Sequence, residues 1–172
     1  LKDQLYKIIA EKTLNWLLTE MASPQGGFYT AQDAESGGKE GEYYTWEKSE
    51  IDRLVGSRAF NMVYGVTKEG NFRGRNVLYV AKEVRQVALE LNIDEEQIRK
   101  ELSEACDILL KERAKRIKPI VDKKILTSWN ALAISALAEA YQAFGEDKYL
   151  KAAVGCASFI KQELMREDIL YH

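Results

Sequence analysis

The residues of this sequence best suited to chemistry lie in one stretch, "GGFYTAQDAESGGKEGEYYTW", at positions 26–46. At its centre are two carboxylates, Asp33 and Glu35. Such a pair can work as acid and base, or as nucleophile and partner. In an extended run, residues i and i+2 face the same side. That would let the two groups couple and lift one pKa. A solvated acidic turn between strands is the simpler account of the same composition, because turns favour Asp and Gly.

Five aromatics flank the acids: Phe28, Tyr29, Tyr43, Tyr44 and Trp46. Aromatic faces with polar edges are platforms for sugar rings. They also pack small hairpins onto helices, the simpler role for Phe28. Strand alternation in "EYYTW" keeps Tyr43 and Tyr44 from both facing inward, so at least one should be exposed or line a cleft.

A second polar cluster occupies "VDKKILTSWN". Asp122 and Lys124 are again spaced i, i+2, just before an apolar helix whose N-terminus can receive anions or polar ligands. Trp129 offers a platform, and Asn130 needs partners if buried. A salt bridge and a cap that fix the helix entry are the structural reading of the same residues. "GNFRGRN" reads as a turn with exposed arginines, Arg73 and Arg75, and it carries no phosphate-loop or dinucleotide pattern.

Other chemistries lack their residues. The cysteines, Cys106 and Cys156, each sit in a helical apolar stripe, and the only histidine is His172. Neither a zinc site nor a local dithiol site is expected, and no cofactor is implied. Sparse thiols suit a reducing cytoplasm. A net charge of −2 gives no electrostatic case for nucleic acid or an anionic membrane. No apolar run approaches bilayer length.

Helices must position these clusters. The spacing predicts a helix from Lys2 to Met21, with Leu5, Ile8, Ile9 and Trp16 at helical intervals and Leu14, Leu17, Leu18 and Met21 widening the face, closed by Ser23-Pro24. Residues 26–80 form a glycine- and aromatic-rich region, with "GGFYTA" and "GEYYTWE" expected as two strands of a hairpin near 27–46. Two short helices follow, one closed by Gly56 and one running from Ser57 as N-cap to Gly65. Asp94 and Gln97 form a capping box before a helix over 95–116, with Ile98, Leu102, Cys106, Leu109 and Leu110 as its stripe. "SWNALAISALAEAYQAF" has Glu139 as its single charge, so it should be buried on most sides. Gly145 ends it, and Asp147 can cap the last helix, which carries Tyr149, Ala153, Cys156, Ile160 and Leu164 on one face. The last two helices should form an αα-hairpin. The whole reads as a single mainly α segment over 1–172, with the 26–80 region inside it.

"GGFYTAQDAES", "EGEYYTW", "GNFRGRNVLY" and "VDKKILTSWNALAISALA", in this order, resemble the thioredoxin-domain-containing proteins related to spermatogenesis-associated protein, called YyaL-like in bacteria. The pattern of that family is close to GGFYSAxDADS, EGxFYxW, GNFEGxNIL and DDKxLTxWNGLMIxALA. Glu35 replaces the second Asp of the first motif, Lys123 the second Asp of DDK, and Ala131 the Gly after WN. The resemblance implies an (α/α)6 toroid similar to six-hairpin glycosidases and sugar 2-epimerases, of which this chain is a section without the thioredoxin-like domain. It further implies that the Asp33 and Asp122 loops line the toroid cavity. The expected site is Tyr29, Asp33, Glu35, Trp46, Asp122, Lys124, Trp129 and Asn130, with Asp33, Glu35 and Asp122 as catalytic candidates and a sugar-like small molecule as ligand. The other reading is a non-enzymatic helical module that supports the thioredoxin-like domain or a protein partner. A section cut from a closed ring bares apolar helix faces, so self-association is expected.

Overall fold

The computed structural model describes residues 4–171. Lys2, the expected helix start, His172 and the side chain of Leu5 lie outside the described residues. Those residues hold seven α-helices and three two-stranded ribbons. They group into two compact units, one from residues 4–33 with 121–171 and one from 34–120. The glycine- and aromatic-rich region is therefore shared between units.

In the first unit, α1 (Gln4–Trp16) widens into a π-helical turn, Leu17–Met21, and stops at Ala22, where the backbone becomes extended ahead of Ser23-Pro24. Strand β1 (Ala31–Gln32) is paired antiparallel with β4 (Val121–Asp122). Helix α6 (Thr127–Phe144) ends at Gly145, whose φ of 73° is the left-handed geometry that glycine adopts without strain. Helix α7 (Asp147–Glu163) packs back on α6 as the expected αα-hairpin. Its cap is Glu146, and Asp147 stands instead in the first turn, where a carboxylate meets the positive end of the helix dipole. Phe28, Leu137, Ala140, Tyr149, Ala153 and Cys156 form the core, and Leu14, Leu17 and Leu18 pack on its edge. Ile8, Ile9 and Trp16 are exposed, so the face of α1 that is used is narrower than its apolar face.

Burial of α6 differs from the expectation. One side carries Asn130, Leu137 and Ala140 into the core. The other exposes Trp129 and Leu132, the latter 70% accessible. Contacts within this chain cover only part of an almost wholly apolar helix.

In the second unit, β2 (Glu35–Ser36) and β3 (Lys39–Glu40) form a tight hairpin around Gly37-Gly38. A hairpin does fall within 27–46, but its strands are not the two aromatic runs. "GGFYTA" turns to β4 for its partner, and residues 41–44 form a turn. Tyr43 is buried and Tyr44 exposed, the outcome expected, but both stand in a turn, so strand alternation is not its cause. Trp46 bridges to Asn76 instead.

Helices α2 (Lys48–Leu54), α3 (Arg58–Val63), α4 (Val84–Leu91) and α5 (Glu95–Arg113) complete this unit. Ser57 Oγ accepts from Phe60 N at 2.9 Å, and Asp94 accepts from the amides of Glu96 and Gln97. Both residues cap as the sequence specified, but the return bond from the Gln97 side chain that would complete a capping box is not among the hydrogen bonds of the described residues. The reciprocal box is instead at Glu47 and Glu50 of α2. Helix α5 stops at Arg113, three residues short of the expected end. Its buried stripe uses Ile98, Leu102, Ala105 and Leu109, while Leu110 faces solvent. Trp46, Ile51, Phe60, Val63 and Val87 share the core with that stripe.

Candidate functional site

The pairing of β1 with β4 sets "GGFYTAQD" beside "VDKKILTSWN" in the first unit, with Ala31 opposite Asp122. Thr30 donates to the Asp122 carbonyl from its backbone N and from its hydroxyl, each at 3.3 Å. The Asp122 carboxylate accepts the Lys124 amide at 3.1 Å and its ammonium at 2.9 Å. These bonds hold its pKa below the ordinary carboxylate value. Asp122 is thus ionised at neutral pH. It can act as a base, a nucleophile or a fixed negative charge, but not as a proton donor.

Trp129, in the first turn of α6, is 55% exposed, and Tyr29 is half-buried. Asn130 behaves otherwise. It is 1% exposed, and its amide is fully engaged. Its Oδ1 accepts from Phe28 N at 2.7 Å and from the Cys156 thiol at 3.3 Å. Its Nδ2 donates to the carbonyls of Phe28 at 3.0 Å and Leu126 at 2.9 Å. This is the structural role that burial demands of an amide. No hydrogen-bonding capacity is left for a ligand.

Asp33 and Glu35 do not share one strand. β1 ends at Gln32, the chain bends at Ala34, and β2 begins at Glu35. The alternation argument that pointed both carboxylates the same way therefore lapses. The two belong to different units, and each has an interaction partner. Glu35 borders a polar cleft of about 460 Å³ in the second unit, with Glu40, Glu47, Arg73 and Arg75 around it.

Trp46 is a core residue, 3% exposed, with the Arg116 guanidinium 3.9 Å above its ring centroid. It offers no open face to a sugar. Arg116 donates to the carbonyls of Glu42, Tyr43 and Thr45 at 2.8–3.0 Å and to Glu50 at 3.2 Å. Arg75 joins from the "GNFRGRN" turn, bonding Thr45, Glu47 and Glu50. Arg73 is exposed as expected, whereas Arg75 is largely enclosed. Sequence reasoning missed both roles. For Arg75 the flanking glycines were the available signal: Gly70 has φ of 68°, and a side chain there would collide with the Arg75 carbonyl. For Arg116 there was no signal.

Among the described residues, no group of three or more His, Cys, Asp or Glu side chains is placed to hold a metal, and no helix is long and apolar enough to cross a membrane.

The architecture is that of a mainly helical segment with polar loops gathered at the entry of an αα-hairpin. No family model matches the chain. Relatives are nonetheless clear. The chain is 28% identical to human spermatogenesis-associated protein 20 over 190 residues, covering 94% of this chain and 24% of that protein. It is 32% identical to the uncharacterized protein B0495.5 of Caenorhabditis elegans over 169 residues, covering 83% of this chain and 23% of that protein. The mouse spermatogenesis-associated protein 20 matches at 28% over the same share as the human protein. The chain is homologous to the spermatogenesis-associated protein 20 family over most of its length and spans about a quarter of these relatives.

Proposed function

We propose that this chain is a section of an α/α toroid whose cavity receives a sugar-like ligand at the β1–β4 loops. The observation that supports this reading is the pairing of Ala31 with Asp122, which joins the strand leading to Asp33 to the loop that carries the Asp122–Lys124 ion pair and precedes the exposed Trp129. Carbohydrate sites combine these elements: an aromatic face for the ring, and charged groups for its hydroxyls. The exposed apolar side of α6 supports the toroid, because a helix of that composition needs cover on most sides.

In this reading Asp122 supplies the base or the fixed charge. Asp33 remains the candidate for its partner on the neighbouring loop. Trp46 and Asn130, buried and engaged, are not assigned ligand contacts, and Glu35, which belongs to the second unit, is not used in this reading. Hydrolysis would further require a protonated carboxyl across the bond.

The test is calorimetric titration of the full-length protein with a panel of mono- and oligosaccharides. Asp122→Asn and Trp129→Ala should each weaken whatever sugar binds by about tenfold or more. A sugar that binds both variants as well as the wild type would overturn the reading, and so would a panel with no binder.

The same exposed side of α6 favours a second reading, in which the segment is a non-enzymatic module docking on a thioredoxin-like domain or a protein partner. There, Leu132→Glu would abolish docking while Asp122→Asn would leave it intact.

A further inference from the structure

We infer that residues 77–81 of the second unit form an unpaired strand edge on which a second copy of this chain docks, antiparallel and centred on Tyr79. The segment reads Val-Leu-Tyr-Val-Ala, without charge or proline, a composition suited to a strand. It follows the Trp46–Asn76 bridge and runs toward α4 with neither turn nor bend as far as Ala81. Its large side chains Val77, Tyr79 and Val80 are exposed by 47%, 55% and 70%. None of these residues belongs to the β1–β4 loops, so the inference stands or falls separately from the proposal above.

Hydrogen bonding shows which edge is free. Along an extended chain, successive residues turn their N–H and C=O to opposite edges. Asn76 exchanges both of its bonds with Trp46, at 2.7 and 3.0 Å. Val77 turns the other way, where the Asn71 amide accepts its N–H at 2.7 Å and donates to its C=O at 2.9 Å. Ala81, on the same edge as Val77, donates to the Val63 carbonyl at 2.8 Å. Leu78 and Val80 therefore share the edge of Asn76. The residue that would continue the Trp46 pairing opposite Leu78 is Tyr44, which stands in a turn with its amide bonded to the Gly41 carbonyl at 3.1 Å. Among the described residues, the N–H and C=O of Leu78 and of Val80 have no hydrogen-bond partner.

A second copy supplies what these groups lack. Set antiparallel about Tyr79, Leu78 of each copy faces Val80 of the other, and each such pair exchanges two N–H···O=C bonds. Every free group on this edge is then used. Tyr79 meets its own equivalent at the closely spaced, non-bonded position, where an aromatic pair stabilises a ribbon. The charges fit this register: Arg75 comes opposite Glu83, Asn76 opposite Lys82, and no like charges face each other. An apolar edge that carries neither lysine nor proline is the kind that pairs. So short a ribbon buries less than the roughly 1,200 Å² of a stable interface, so the dimer is weak and forms at high concentration.

Hydrogen exchange followed by NMR on the full chain tests this, in the Leu132→Glu background so that contacts through α6 do not contribute. Between about 20 μM and about 1 mM protein, exchange at the Leu78 and Val80 amides should slow about tenfold. Tyr79, whose N–H points to the other edge, should not change. Val80→Lys, an exposed substitution that leaves the fold alone, should abolish the slowing, because a charge spoils a pairing edge. Val80→Pro, which removes the N–H itself, should abolish it at Leu78 as well. Exchange at Leu78 and Val80 that ignores concentration, or slowing that survives both substitutions, would overturn the inference. Equal slowing at Leu78, Tyr79 and Val80 would assign the contact to side chains and overturn it too.

Discussion

Asn130 grips Phe28 by both ends of its peptide group, accepting from the amide at 2.7 Å and donating to the carbonyl at 3.0 Å. The two residues are 102 positions apart, and this clasp anchors the strand that leads into the Asp33 loop against the first turn of α6. Removing it by Asn130→Ala leaves the Phe28 amide and carbonyl buried without partners. Each orphaned group costs roughly 1–3 kcal/mol, so the variant should lose about 3 kcal/mol in total. Urea denaturation followed by far-UV circular dichroism measures this. A loss below about 1 kcal/mol would show that water replaces the amide without difficulty.

Arg116 should be the least replaceable cation of the second unit. It combines three carbonyl contacts, a carboxylate and the Trp46 face. Lysine cannot reproduce a planar fork stacked on a ring. Arg116→Lys is therefore expected to destabilise the unit by about 2 kcal/mol. It should also shift the Trp46 contribution to near-UV circular dichroism, against a Trp46→Phe reference. An unchanged spectrum with unchanged stability would mean that the carbonyls are held by the backbone alone.

The Asp122–Lys124 pair predicts a pH effect of definite sign. The folded carboxyl has a lowered pKa, so its contribution to stability is present above the unfolded value, near 3.8, and fades as pH falls through the folded one. Lys124→Met removes the ammonium that contributes most to the shift. In a carbon-detected NMR titration, the Asp122 carboxyl of that variant should titrate at higher pH than in the wild type. Identical midpoints would assign the shift to the Lys124 backbone amide, the one donor the variant keeps.

Cys156 should be silent toward alkylation in the native protein. It is fully buried, its thiol donates to Asn130, and burial pushes its pKa up to about 11. Thiolate is the reactive form, so at pH 8 both access and ionisation oppose reaction. Mass spectrometry after iodoacetamide treatment should find Cys156 modified only when the first unit unfolds. Labelling at the rate of a free thiol would mean that α7 opens readily.

Local signals carried much of this structure. The caps at Ser57 and Asp94, the stops at Gly56, Gly65 and Gly145, and the αα-hairpin all follow from short-range chemistry. What escaped was tertiary pairing. The aromatic runs read as partners because they are near in sequence. "GGFYTA" instead finds Val121–Asp122, because Asn130 and the Phe28 core contact draw it to α6. Glu35 and Trp46 read as companions of Asp33, yet they serve another unit. The role of Arg116 rests on carbonyls turned inward by residues 42–45, which no spacing rule registers.

Leu132 tests what the apolar composition of α6 is for. Trp129 and Leu132 lie near one another in sequence on the uncovered side of the helix, and Val154 on α7 is also exposed. Exposed large apolar side chains favour association, since each contact removes them from water at about 25 cal/mol per Å². The 172-residue chain alone should therefore self-associate with rising concentration in sedimentation velocity. Leu132→Glu should shift it toward monomer without altering the melting temperature, because an exposed position contributes little to the fold. A wild-type chain that stays monomeric throughout would mean that the exposed side of α6 does not drive association.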